Sequence, residues 1–150
     1  QNKLENKMIQ HIVDKEKLLA SIVRNKFREK GIKFFTPNDF SQQRGYMSHP
    51  KGHIISPHVH NHVPREVKKT NEVLFVKSGE IRVDFYDDYK KYLQSNNLYQ
   101  GDIILLASGG HGFEMLKDAE MIEVKQGPYV GDQDKSRFET VDKNKIFIKD

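Results

Sequence analysis

Gly52-His-Ile-Ile-Ser-Pro-His-Val-His60, followed by Glu72-Val-Leu-Phe-Val-Lys-Ser-Gly79, decides how this chain is read. Five of the seven histidines lie between His49 and His62, and a single residue separates His58 from His60. In a strand, side chains two apart share a face, so these two imidazoles would point into one space. Two converging neutral imidazoles supply the first two protein ligands that a first-row transition metal needs. The competing reading is a solvated histidine-rich loop.

Glu72 opens an apolar, β-branched run closed by Gly79, which reads as a strand and a tight turn. A carboxylate at the mouth of an apolar strand is costly to bury unless it is paired or bound to a cation. Gly101-Asp-Ile-Ile-Leu-Leu-Ala-Ser-Gly-Gly-His111 repeats the pattern, with an apolar strand leading into a glycine pair and a lone histidine.

These residues resemble the cupin superfamily. Its first motif is matched by Gly52, His58, His60, Glu72 and Gly79, and its second by Gly101, Gly109 and His111. The resemblance implies an all-β cupin double-stranded β-helix, that is, a jelly-roll barrel. It also implies a metal set of His58, His60, Glu72 and His111. Three departures stand in this sequence. The stretch from His60 to Glu72 is longer than the family's; Ala107 replaces a proline and His111 follows Gly109 one residue early; and the asparagine that often ends the second motif is absent. Glu66 is therefore a rival to Glu72, which keeps the family distance to Gly79 and opens a strand. His62 shares the parity of His58 and His60, but Pro64 would end a strand beside it.

Towards the C-terminus, Gly109-Gly-His-Gly-Phe113, Glu123-Val-Lys-Gln-Gly-Pro-Tyr129 and Asp134-Lys135 resemble a small family of cupin-fold metalloproteins found among bacterial surface-polysaccharide genes. The similarity runs roughly from Ile32 to Phe138. It identifies the scaffold better than the substrate, which is expected to be a small, sugar-derived molecule.

A chain of 150 residues suffices for one domain with a core. No run is long enough to cross a bilayer, no signal peptide is visible, and there is no cysteine, which together favour a cytoplasmic protein without membrane association. The net charge of +4 comes from scattered lysines, with no basic patch interleaved with aromatics to take nucleic acid. Leu18, Leu19, Ile22, Val23 and Phe27 recur at helical spacing between Asp14 and Gly31, so residues 1–31 are expected to form an N-terminal helical extension to a cupin domain of residues 32–150.

Strands are expected at residues 32–35, 53–60, 72–76, 81–86, 101–106, 111–116, 119–126 and 145–148. Ile81, Val83 and Phe85 alternate with Arg82 and Asp84, predicting one core face and one wet face. Ile122 and Val124 share a face, placing Glu123 and Lys125 opposite. Either that pair is an exposed ion pair or the parity is reversed and it lines a pocket as acid and base. With Tyr129, these are the catalytic candidates.

Three imidazoles and a carboxylate would leave positions open on one Fe, Mn, Ni or Zn ion, suiting sugar isomerisation or epimerisation. A non-catalytic metal-dependent binding or sensor module and an iron-dependent dioxygenase are the alternatives. The adjacent Phe34 and Phe35 cannot both face one core, and a homodimer is expected to cover one of them.

Overall fold

The computed structural model describes residues 8–150. They are all-β, with ten strands in three antiparallel sheets and none closed into a barrel. The chain divides into two compact units, one formed by the described residues up to Phe27 with Lys69–Asp150, the other by Arg28–Lys68.

The first unit begins with a hairpin rather than a helix. Strands β1 (Ile9–Asp14) and β2 (Lys17–Val23) pair antiparallel around Lys15 and Glu16, both at positive φ. The N-terminal helix expected from the spacing of Leu18, Leu19, Ile22, Val23 and Phe27 is therefore replaced by strands. Two physical causes hid them. The turn uses lysine and glutamate where glycine or asparagine would signal the left-handed region, and Leu19–Val23 is buried at every position. A strand covered on both faces is a continuous apolar run, which periodicity cannot tell from a buried helix. A bulge between Ile12 and Val13 leaves Leu19 as the extra residue, so Leu19 and Ala20 both reach the core.

The five-stranded sheet runs β1-β2-β8-β5-β10, with β5 at Glu72–Ser78, β8 at Ile103–Leu106 and β10 at Glu120–Lys125. The three-stranded sheet runs β7-β6-β9, with β6 at Glu80–Tyr86, β7 at Tyr92–Tyr99 and β9 at Gly110–Met115. One core joins them. Ile12, Leu19, Ala20, Ile22, Leu74, Val76, Ile104 and Leu106 from the larger sheet cluster with Ile81, Val83, Phe85 and Leu98 from the smaller. Gly79 makes the β5–β6 turn at φ 86, where a Cβ would also strike the Asp118 carbonyl oxygen.

The expected wet face of β6 is dry. Arg82 and Asp84 are 8 % and 1 % exposed, and Arg82 grips Asp84 through Nε at 2.8 Å and Nη2 at 3.1 Å. Ser95 Oγ donates to Asp84 Oδ1 at 2.5 Å, and Arg82 Nη1 pairs with Glu114 Oε2 on β9 at 2.6 Å. Alternation marked which residues leave the core face, but a neighbouring strand covers them here. β7 was hidden because Gln94, Ser95, Asn96 and Asn97 give it a polar texture. The C-terminal stretch then closes its edge. Ser95 N donates to the Phe147 carbonyl and Lys149 N to the Ser95 carbonyl, a single parallel bridge where a strand over 145–148 was expected.

The second unit holds the hairpin β3 (Gly31–Phe34) and β4 (Gly45–Ser48). Thr36 Oγ1 donates to Gln43 Oε1 at 2.7 Å and accepts from Arg44 N at 3.1 Å, pinning the loop between them. Residues 53–60 are exposed and carry no strand, contrary to expectation. Ser56, Pro57 and His58 interrupt the run, and Pro57 has no N–H to give to a ladder.

Candidate functional site at the mouth of the two sheets

Glu72 and His111 meet where the two sheets of the first unit open. Glu72 lies on β5 with the parity of Leu74 and Val76, so its side chain projects on the core-facing side at the strand's first position. His111 has the parity of Phe113, which packs against the core, and stands opposite Phe85 on β6. Their side chains are 14 % and 30 % exposed, and His111 Nε2 lies 3.1 Å from Glu72 Oε2. Gly109, at φ 72, brings the chain into β9 at a point where a Cβ would press on the Tyr86 carbonyl.

The hydrogen bond from His111 holds the Glu72 carboxyl below its ordinary range. Partial burial opposes this, and the charges of His111, Lys125 and Lys135 add to the lowering. Lys125 stands directly across from Glu72 in the β5–β10 register, Glu123 across from Leu74 and Met121 across from Val76. Met121 packs against the core. Glu123 and Lys125 therefore share the face of the Glu72–His111 pair, whereas Ile122 and Val124 are 52 % and 59 % exposed. Of the two parities open in the sequence, the structure adopts the one that puts the charged pair on the face of Met121, with the Lys125 side chain 25 % exposed and that of Glu123 47 %.

Lys125 Nζ lies 3.9 Å from both Glu123 Oε1 and Asp134 Oδ2. Asp134, in the short 3-10 helix Gly131–Asp134, accepts a 2.5 Å hydrogen bond from Thr70 Oγ1. Sequence reading singled out Lys125 and Glu123 but gave no role to Thr70 or Asp134. Asp134 stands in the Asp134-Lys135 element of the resemblance, but its contact with Thr70 spans 64 residues and only the fold brings the two together. Tyr129 follows the Gly127–Pro128 cis peptide and is 86 % exposed.

In the second unit, His58 and His60 form a pair of their own, with ring centroids 5.2 Å apart at 80°. His58 Nδ1 is 3.0 Å from the Ser56 carbonyl, which can only accept. Nδ1 is therefore the donor of this contact, and Nε2 is the nitrogen that faces away from it. His60 and His62 line a shallow open depression of about 530 Å³ with Val63, Pro64 and Arg65. His49 and His53 stack face to face with centroids 3.9 Å apart, an arrangement that does not converge two nitrogens on one point. Glu66 is exposed and pairs with Lys68 at 3.5 Å. Among the described residues, no group of three or more His, Cys, Asp or Glu side chains is gathered so that it could hold a metal ion.

Comparison with family models, curated proteins and solved structures returns no match to this chain. Among the described residues, no helix is long and apolar enough to cross a membrane.

Proposed function

We propose that the chain is a metal-dependent enzyme of cupin type, with a jelly-roll arrangement of its two larger sheets. In this reading it acts on a sugar or nucleotide sugar as an isomerase or epimerase of bacterial surface-polysaccharide synthesis, in the cytoplasm. The observation that carries the reading is the 3.1 Å separation of Glu72 Oε2 and His111 Nε2. Two donors each about 2.1 Å from one ion, at right angles, lie about 3.0 Å apart, so the pair fits adjacent positions on a first-row metal. His58 and His60 are the remaining ligands that the resemblance implies. Iron, manganese, nickel or zinc would suit two to three imidazoles with a carboxylate.

Such an ion, when bound, supplies Lewis-acid polarisation of a substrate oxygen. The chain's own residues do the rest. Without an ion, His111 Nε2–H donates to Glu72 and turns the ring towards the carboxylate, and that proton would have to leave for the same two atoms to hold a metal. Leu74, Leu106 and Phe113 wall the space behind them with apolar surface, which strengthens every charge at the mouth. Glu123 and Lys125, on the same face, are the groups placed to accept and return a proton at a substrate carbon or hydroxyl.

The test begins with metal analysis of protein purified without an affinity tag. About one divalent ion per chain is expected, and His58→Ala with His60→Ala should lose it. Glu72→Gln should weaken metal affinity at least tenfold, or about 1.4 kcal/mol, and Glu66→Gln should change it little. Full metal occupancy in the double histidine variant overturns the ligand set. Metal binding without turnover of any nucleotide sugar overturns the enzyme and leaves a binding module.

A further inference from the structure

We propose that Lys125, with Glu123 and Asp134 on either side of it, forms a subsite for the uncharged hydroxyl groups of a sugar ring. This deepens the reading of the mouth as a substrate site and rests on it.

The first observation is an ammonium held between two carboxylates at ion-pair distance rather than hydrogen-bond distance. Lys125 is held on the inner face by its register opposite Glu72, and its side chain is 25 % exposed. An ammonium carries three donors. Among the described residues the partners of Nζ are Glu123 Oε1 and Asp134 Oδ2, each at 3.9 Å. Hydrogen bonds from nitrogen to oxygen reach only to about 3.2 Å, so both carboxylates attract the ammonium without bonding to it. Gaps of this width are spanned by an intervening oxygen that accepts from one side and donates to the other. A hydroxyl group is such an oxygen, being donor and acceptor at once.

The second observation is that the geometry is held in place. Asp134 is 19 % exposed and fixed by Thr70 Oγ1 at 2.5 Å, and Glu123 and Lys125 lie on a paired strand. A substrate would therefore meet one donor with an acceptor to each side, the pattern offered by neighbouring hydroxyls on a ring. The same count argues against a phosphate or carboxylate. Glu72, Glu123 and Asp134 stand against Lys125 and Lys135, so an added anion finds no surplus of positive charge to hold it.

The full chain is titrated separately with D-glucose, D-galactose, D-mannose and inorganic phosphate, followed by amide NMR. At least one hexose should give saturable shifts at Thr70, Glu123, Lys125 and Asp134, and phosphate should give none. Lys125→Met, which keeps the stem, should weaken the hexose at least tenfold. Glu123→Gln, which removes a charge and keeps an acceptor, should weaken it less than Lys125→Met does. Chelator, which would strip an ion from Glu72 and His111, should leave hexose binding in place. Binding of no hexose, binding of phosphate that strengthens in Glu123→Gln, or unchanged hexose affinity in Lys125→Met would each overturn the subsite. Loss of metal binding with the hexose shifts retained would remove the metal reading alone, so the two failures are distinguishable.

Discussion

Replacing Asp84 by asparagine keeps the shape of the side chain and removes the charge that Arg82 is buried against. Asp84 is 1 % exposed and its carboxylate takes three hydrogen bonds, two from Arg82 and one from Ser95. Removing one partner of a buried ion pair costs about 3–5 kcal/mol, because the other charge is left in a dry site. Arg82 keeps one partner in Glu114, whose side chain is 42 % exposed, so the low end of that range, about 3 kcal/mol, is expected. For a chain of this size that corresponds to a fall in Tm of roughly 6–12 °C.

The chain has six tyrosines and no tryptophan, so urea unfolding followed by near-ultraviolet circular dichroism is a suitable assay. A companion variant, Arg82→Met with Asp84→Leu, removes both charges and should lie within about 1 kcal/mol of the wild type. A loss below about 1 kcal/mol in Asp84→Asn would refute the claim that this ion pair is dry and uncompensated. The outcome bears on the site, since Arg82 also ties β6 to Glu114 on β9, three residues beyond His111.

Glu72 predicts a pH dependence with a definite sign. Its folded value is lowered from the ordinary 4.5, first by the hydrogen bond from His111 and also by neighbouring positive charge, so its contribution is present above that value and is lost as pH falls through the folded one. Urea midpoints in chelator should therefore separate wild type from Glu72→Gln at about pH 7 and converge at about pH 3; parallel curves would show the pair to be energetically idle. A homodimer is expected from the edge strand β10, whose outer face exposes Ile122 and Val124, and from Phe34, 62 % exposed on β3. Light scattering that returns 17.5 kDa at micromolar concentration would reject it.

The sequence by itself determined the alternating strands. Ile81, Val83 and Phe85 had to face a core, the run after Glu72 had to be a strand ending at Gly79, and the run to Leu106 had to deliver His111 near its end. Period-two patterning and turn glycines are local signals, so they survive in one dimension. What the neighbours cover is not local. Leu19–Val23 is a strand because β1 and β8 flank it and both of its faces are buried, and its apolar run alone fits a helix equally well. Arg82 and Asp84 are dry because Ser95 and Glu114 reach them from flanking strands. Glu123 and Lys125 share the face of Met121 because the bulge at Glu120 and Met121 sets the register of β10, a choice of parity that one residue of slip would reverse. The Glu72–His111 contact likewise needs two sheets to meet, and 39 positions along the chain separate residues that tertiary structure places 3.1 Å apart.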